Sequence, residues 1–325
     1  MLKLKKVSIS CALAAGLAAG GAQAAQECGD VSITEMDWGS AIIVTQVATF
    51  LLEQGYGCSV TIIPSASTPA LVSVTETGKP DILTEIWTNS APAYVPLLEA
   101  GKIKELTQVL SDGGVEGLFI PDYLAEAHPE LLTIEGLLAN PDLVGGRMHN
   151  CPVGWTCQVV ASQMAKAGGF AAAGIEDFVH GSGETLSASI GSAYTSQEPW
   201  FGYYWSPSTV LGKYPMVQVD LGPHDPDALA CNSDLECDTP KLGSWPSSVV
   251  TTVVTGTFEV SHPAETDLMR NLSFTNNMMN GLLGWQDANN ATGEEAAAYF
   301  LSTQQDIWST WVNDAARGKL SALLQ

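Results

Sequence analysis

The sequence predicts an α/β protein with two lobes, each a mainly parallel sheet flanked by helices. Strand-like apolar runs alternate with segments of helical periodicity from residue 31 onwards, the pattern of parallel β-α-β units. The chain has 325 residues, more than one hydrophobic core usually supports. Two stretches, 113–121 and 245–255, are interpreted as passages between the lobes. We therefore expect a discontinuous lobe 1, residues 25–119 plus 250–325, and a lobe 2 over residues 120–249.

Hydrophobic spacing predicts the elements of lobe 1 in order. Strands and helices alternate in its first part, and Gly55 and Gly78 are expected to end the two helices. Another helix begins at Tyr94, and the C-terminal part is predicted to form two long helices, 262–279 and 294–324. The predicted strands of the first part are 31–36, 58–63 and 81–86, and its two helices are 41–54 and 68–77.

Residues 1–24 have the composition of a secretory signal peptide. A lysine-rich start precedes an apolar stretch, and Ala22-Gln23-Ala24 is a small-residue cleavage site. A membrane anchor is the alternative, but the stretch is short and weakly apolar for a bilayer core about 30 Å thick. We expect cleavage after Ala24, removal of Cys11 with the leader, and export to a bacterial periplasm.

The charge of the chain is strongly negative, with a formal net charge of −22 at pH 7. Such a surface repels nucleic acid, so a nucleic-acid partner is not expected. It raises the local concentration of cationic solutes, although most of these carboxylates are expected only to keep the protein soluble.

Six cysteines remain after the leader, and an even number in an exported chain favours disulfides. Six cysteines allow fifteen connectivities. We predict the three local pairs. A zinc site is the alternative, but no C-x-x-C pair or neighbouring histidine pair supports it. The predicted pairs are Cys28–Cys58, Cys151–Cys157 and Cys231–Cys237.

Four tryptophans stand where ligand-binding loops are expected. Trp38 and Trp87 follow predicted strands, and open α/β sheets bind ligands outside the carboxyl ends of strands. Trp155 and Trp205 would face them from lobe 2. A trimethylammonium group has no N–H to donate, and indole faces stabilise its charge by about 2 kcal/mol per desolvated ring. The pattern predicts an aromatic cage for a methylated cation. The remaining tryptophans considered, Trp245, Trp285, Trp308 and Trp311, are expected in core or hinge packing.

The predicted ring between Cys151 and Cys157 precedes a helix expected over 158–167. A helix N-terminus presents free backbone N–H groups, which suit a ligand carboxylate. The disulfide would hold Trp155 and these donors in place and so lower the ordering cost of binding.

Several motifs, in order along nearly the whole chain, resemble the glycine betaine-binding proteins of proline/glycine betaine ABC uptake systems. The ringed loop together with the later Trp-x-Pro segment is the more specific part of this resemblance. The motifs are Glu53-Gln54-Gly55-Tyr56, Ile86-Trp87-Thr88, Cys151 to Cys157 with Gly154-Trp155 inside, and Glu198-Pro199 followed by Tyr203-Tyr204-Trp205-Ser206-Pro207.

The resemblance implies a type II periplasmic-binding-protein fold, whose two lobes close on the ligand like a Venus flytrap. It implies a cage of Trp87, Trp155 and Trp205, and a ligand carboxylate held by the backbone N–H groups of Thr156 and Cys157. The implied partner is an ABC permease in the inner membrane. We expect a monomer without cofactor or metal, and Tyr204 and Asn89 as further ligand contacts.

Two departures from the family pattern leave the ligand open. Ala91 stands where some members have a carboxylate-binding histidine, with Asn89 and Ser90 as the nearby polar residues. Pro152-Val153-Gly154 replaces the usual Asn-Pro-Gly. Choline, carnitine, dimethylsulfoniopropionate and trimethylamine N-oxide are therefore alternatives to glycine betaine.

Other residues near the predicted cage favour a cationic or compact ligand. Trp38 as a fourth wall would suit a small, round ligand such as trimethylamine N-oxide. The nearby acids Asp37 and Glu85 could replace anion recognition with cation recognition, unless they are simply solvated.

Other classes of function have weaker support. The sequence contains no G-x-S-x-G, H-E-x-x-H, P-loop or dinucleotide fingerprint, so we do not expect an enzyme. An amino-acid binder usually needs an arginine, and only Arg147 lies near a predicted site. A calcium site in an acidic loop is the other alternative, although a solvated loop is favoured. The loop carboxylates are Asp220, Asp225, Asp227, Asp234, Glu236 and Asp238.

Overall fold

A computed structural model describes residues 28–323 of the chain. The predicted leader, residues 1–24, lies outside the described residues. No helix in the described part of the chain is long and apolar enough to cross a membrane.

Ten strands form two five-stranded sheets between residues 28 and 323. The order is β2-β1-β3-β10-β4 in the first sheet and β7-β6-β8-β5-β9 in the second. The strands are β1 (Gly29–Met36), β2 (Cys58–Ser65), β3 (Ile82–Trp87), β4 (Ile103–Gln108), β5 (Val115–Pro121), β6 (Arg147–Asn150), β7 (Glu176–Val179), β8 (Gly202–Ser206), β9 (Met216–Gln218) and β10 (Val250–Thr255).

Each sheet contains one strand that runs against the others. β10 is antiparallel to β3 and β4, and β5 is antiparallel to β8 and β9. The pairs β1–β2, β1–β3, β6–β7 and β6–β8 are parallel. The predicted α/β class with two mainly parallel sheets flanked by helices is confirmed.

The two antiparallel strands are the first that the chain forms after it crosses between sheets. It leaves the first sheet after Gln108, enters the second at Val115, and returns at Val250. The two crossings are paired, because Gly114 and Ser248 exchange backbone hydrogen bonds of 2.8 Å in both directions. The chain thus enters the second sheet before residue 119. The lobe boundaries predicted from the sequence remain a proposal.

Fifteen α-helices cover the sheets within the described residues. They are α1 (Gly39–Phe50), α2 (Ser67–Thr77), α3 (Tyr94–Glu99), α4 (Asp122–Ala127), α5 (Ile134–Ala139), α6 (Thr156–Ala167), α7 (Gly183–Ser196), α8 (Thr209–Lys213), α9 (Pro226–Asn232), α10 (Gly256–Ser261), α11 (Pro263–Asn271), α12 (Asn276–Asn289), α13 (Gly293–Thr303), α14 (Gln305–Trp308) and α15 (Asp314–Leu323). Short 3-10 helices cover Thr88–Ser90, Pro129–Leu132, Pro141–Val144 and Ala171–Ala173.

Three helix predictions were wrong in their bounds. α1 continues into a π-helical turn, Leu51–Tyr56, so Gly57 and not Gly55 ends it in the left-handed conformation. The predicted helix 262–279 is interrupted at Phe274, whose backbone N–H donates to Val109 and whose carbonyl accepts from Ser111.

The predicted helix 294–324 is divided into α13, α14 and α15. The interruptions bring the buried indoles of Trp308 and Trp311 into the core. Their predicted packing role agrees with this position, and Trp311 lies against Phe274 at a ring-centroid distance of 5.3 Å.

Candidate functional site

Four indoles converge on one small cavity between the two sheets. Trp38 follows β1 and Trp87 ends β3, whereas Trp155 directly precedes α6 and Trp205 lies in β8. The cavity has a volume of about 20 Å³, and each indole is at most 8% exposed. The other residues that line it are Ser67, Glu116, Thr156, Cys157 and Tyr203.

The indoles pack edge to face across the boundary between the sheets. Trp155 lies 5.2 Å from Trp38 at an interplanar angle of 68°, and 5.2 Å from Trp205 at 75°. Such T-shaped contacts are a preferred aromatic geometry. The structure therefore brings the four predicted tryptophans together at one cavity.

A buried carboxylate holds both indoles of the first sheet. Oε1 of Glu85 accepts hydrogen bonds from Nε1 of Trp38 at 2.6 Å, Nε1 of Trp87 at 3.0 Å and Oγ of Ser40 at 2.9 Å. Glu85 has no exposed surface, and burial raises the pKa of its carboxyl group above the ordinary value. The hydrogen bonds oppose this shift because they favour the charged form.

Trp155 also makes a contact between the lobes. Its Nε1 donates to Oδ1 of Asp37 at 2.7 Å, and the preceding Gly154 carbonyl accepts from the backbone N–H of Thr68 at 3.2 Å. A third contact, between Lys213 and Asp287 at 3.0 Å, lies at the rim. Trp155 is thus both a wall of the cavity and part of the lobe closure.

Helix α6 points its N-terminus at the cavity, where Thr156 and Cys157 are lining residues. Its first backbone N–H groups have no intrahelical acceptor, and the helix dipole adds partial positive charge there. A disulfide joins Cys157 to Cys151, with 6.2 Å between their Cα atoms, and so closes the loop that carries Trp155. The other two bridges are Cys28–Cys58 and Cys231–Cys237.

A second buried acid, Glu116 on β5, lies in the cavity wall and was not predicted. It accepts a hydrogen bond from the Tyr203 hydroxyl at 2.8 Å and another from Ser248. Burial raises the pKa of the Glu116 carboxyl group, and it raises the pKa of Tyr203 well above its ordinary value. Two features of the sequence could have indicated Glu116. It is the single acid in an otherwise apolar strand, and Tyr203 stands two residues before Trp205, on the same face of its strand.

The structure does not bring Tyr204 and Asn89 to this cavity. Tyr204 points to the opposite strand face from Tyr203, stacks 4.4 Å from Trp205, and lines an adjoining outer cleft of about 490 Å³, which shares Trp38 and Trp205 with the cavity. The Asn89 side chain donates to Ser248 Oγ at 2.7 Å and to the Pro246 carbonyl. It therefore stabilises the segment in which the chain returns to the first sheet.

The cavity lining contains no lysine, arginine or histidine in the described part of the chain. Its polar groups are one carboxylate, hydroxyls and the backbone N–H groups of α6. Ala91 is buried and contributes no polar atom in place of the family histidine. The chemistry of the lining is therefore suited to a methylated cation that carries at most a compact polar end.

The acidic loop gains no geometric support as a calcium site. Asp225 caps α9 by accepting from the backbone N–H groups of Asp227 and Ala228, and Asp234 accepts from that of Glu236. Among residues 28–323, the one group close enough to share an ion is Cys28, Cys58 and Glu265, and its cysteines form a disulfide.

Gly114→Ala is expected to weaken binding of a trimethylammonium solute about fivefold. A Cβ atom at Gly114 would lie 2.2 Å from Cζ3 of Trp87, so the indole must tilt and lose part of its contact, about 1 kcal/mol. Titration calorimetry measures the change. Gly212→Ala is the control, because its Cβ would meet nothing within 4 Å. Equal affinities for both variants would contradict a role for the Trp87 orientation.

Comparison with solved structures places the fold among ABC-transporter binding proteins. The glycine betaine/L-proline-binding protein of Borrelia burgdorferi superposes with a TM-score of 0.74 at 18% identity, covering 90% of this chain and 99% of that one. A choline-binding protein in complex with choline gives 0.73 at 20% identity, covering 92% and 99%. The lactococcal glycine betaine-binding protein, closed on glycine betaine, gives 0.68 at 18% identity, covering 88% and 100%.

Comparison of the sequence with curated proteins gives no match. Residues 29–303 match the OpuAC family, described as the substrate-binding domain of ABC-type glycine betaine transport systems. This match covers most of the chain and agrees with the fold and with the resemblance found from the sequence motifs. The chain therefore belongs to the family of substrate-binding domains of ABC-type glycine betaine transport systems.

Proposed function

We propose that this protein is the periplasmic receptor of an ABC importer and captures a compact trimethylated ammonium solute of the glycine betaine type. The observation that carries the proposal is the convergence of Trp38, Trp87, Trp155 and Trp205 on one cavity between the sheets. Export by the predicted leader would place the receptor in the periplasm. Uptake of such solutes would serve osmoprotection.

Cation–π attraction supplies a large part of the binding free energy in this proposal. Three desolvated rings contribute about 6 kcal/mol before the costs of desolvation and closure. Micromolar affinity requires about 8 kcal/mol. The ligand's other end must therefore contribute as well, through hydrogen bonds that the cavity offers.

Two groups are available to that other end. The N-terminus of α6, at Thr156 and Cys157, suits the carboxylate of glycine betaine. Glu116 favours a second candidate, because an ionised carboxylate in the wall attracts a cation and repels a ligand carboxylate. Choline or trimethylamine N-oxide, which lack that carboxylate, would avoid the repulsion.

Closure would couple capture to delivery. Ligand contact with indoles of both lobes favours the arrangement in which Trp155 bonds Asp37 and Lys213 bonds Asp287. The closed form would dock on an inner-membrane permease as a monomer. The receptor itself performs no chemistry in this proposal, and ATP would be hydrolysed by another component of the importer.

A calorimetric panel tests the proposed function. Glycine betaine, choline, carnitine, dimethylsulfoniopropionate and trimethylamine N-oxide are titrated, and tryptophan fluorescence is followed in parallel. At least one solute is expected to bind with micromolar affinity and change the emission, because the indoles form the site. Glycine is the matched control, since it keeps the carboxylate of glycine betaine but lacks the methyl groups. Failure of every solute to bind below about 1 mM, or equal binding of glycine, would refute the proposal.

A further inference from the structure

Three of the four cage indoles donate their N–H to a carboxylate. Trp38 and Trp87 donate to Glu85, and Trp155 donates to Asp37. Because the acceptors lie at the indole edges, they leave the ring faces free for a ligand. Two carboxylates, Glu85 and Asp37, therefore lie directly behind the aromatic wall of the cavity. Neither belongs to the residues that line the cavity itself.

Glu85 has more acceptor capacity than its hydrogen bonds use. Its Oε1 accepts all three hydrogen bonds, whereas its buried Oε2 has no hydrogen-bond partner among the described residues. A glutamine carbonyl could accept the same bonds without the cost of burying a charge. The ionised form of Glu85 therefore needs a compensating positive group.

No lysine, arginine or histidine within the described residues forms an ion pair with Glu85, Asp37 or Glu116. A methylated cation between the indoles would lie one ring away from Glu85. An indole whose N–H donates to an anion is polarised, and its face gains negative potential.

We propose that Glu85 is a positioning residue that fixes Trp38 and Trp87 and makes the cavity selective for methylated cations over neutral molecules of the same shape. Asp37 acts in the same way on Trp155, from the rim. This inference rests on the proposed function, because it assumes that a trimethylammonium group occupies the cage. It adds that cation selectivity depends on residues behind the indoles.

The test compares choline with 3,3-dimethyl-1-butanol, in which carbon replaces the charged nitrogen. Glu85→Gln keeps a carbonyl acceptor and removes the charge. We expect it to lower choline affinity at least tenfold while the affinity of the neutral analogue changes less than twofold. Glu35→Gln is the matched control, since Glu35 accepts from Gln46 and from no indole. The ratio of choline affinity to neutral-analogue affinity in Glu35→Gln should equal that of the wild type.

The outcomes separate this inference from the proposed function. If no methylated solute of the panel binds the wild type, the proposed function fails. If one of them binds but the wild type prefers choline no more than the neutral analogue, the inference on cation selectivity alone is overturned. If the wild type prefers choline and Glu85→Gln keeps the full preference, or loses affinity for both probes equally, the role assigned to Glu85 is overturned. If Glu85→Gln does not fold, the same comparison of choline with the neutral analogue is made with Asp37→Asn, at the exposed rim. A loss of choline preference of threefold or more supports the inference, and an unchanged preference overturns it.

Discussion

Trp155→Ala is expected to weaken ligand binding by about a hundredfold. The substitution removes a cage wall worth about 2 kcal/mol, and it removes the hydrogen bond to Asp37 across the lobes, worth about 1 kcal/mol. Together these correspond to roughly two powers of ten in the dissociation constant. No other cage indole combines both contacts, so this variant should be the weakest binder of the single tryptophan replacements.

Titration calorimetry with the best ligand of the panel measures the effect. Trp205→Ala removes a wall but no hydrogen bond to the first lobe, and a loss of about thirtyfold is expected. Trp285→Ala is the control, because Trp285 stacks on Tyr299 at 4.2 Å, outside the cavity, and should keep the wild-type affinity. A loss below threefold in both cage variants would contradict the cage.

The tryptophans could be found from the sequence because their positions follow from local pattern. Trp38 and Trp87 stand at the ends of apolar strands, and parallel strands bring their carboxyl ends to one edge. Trp155 is fixed by the short spacing of Cys151 and Cys157. None of these inferences needed the path of the chain through the second sheet.

Glu116 escaped prediction because its position depends on pairing between distant strands. β5 is antiparallel to β8, and this register sets Glu116 opposite Trp205 and Leu118 opposite Tyr203. The sequence pattern alone predicted that residues 113–121 pass between the lobes, and it indicated no strand that β5 would pair with. The direction of a strand after a crossing is a tertiary property, so the acid could not be placed in the cavity.

The broken C-terminal helices have a similar cause. Apolar spacing continues through Phe274, and periodicity alone predicts an uninterrupted helix. The backbone of Phe274 instead pairs with Val109 and Ser111, which lie more than 160 residues earlier in the chain. A distant backbone partner therefore outweighs the local helical preference.

Glu116→Gln is expected to weaken choline binding about thirtyfold at neutral pH and to raise the thermal stability of the ligand-free protein. An ionised carboxylate beside the cation contributes about 2 kcal/mol at the effective dielectric of a protein. Burial raises the pKa of Glu116 above the ordinary value of 4.5. The stability that this group contributes is fully present below about pH 4.5 and is lost as pH rises through the folded-state pKa. Glutamine can accept from Tyr203 without that loss.

The pH dependence of choline binding provides the decisive measurement. Choline favours ionised Glu116, so wild-type affinity should rise as the pH increases above about 4.5 and through the raised pKa of Glu116. Glu116→Gln should flatten this rise. Any pH dependence of choline affinity that remains is attributed to Glu85, the second buried acid, and Glu85→Gln should remove it. Glycine betaine should show a smaller rise or the opposite slope, since its carboxylate favours protonated Glu116. A choline affinity that is independent of pH in the wild type, or a destabilised Glu116→Gln variant, would contradict a charged Glu116 in the cavity wall.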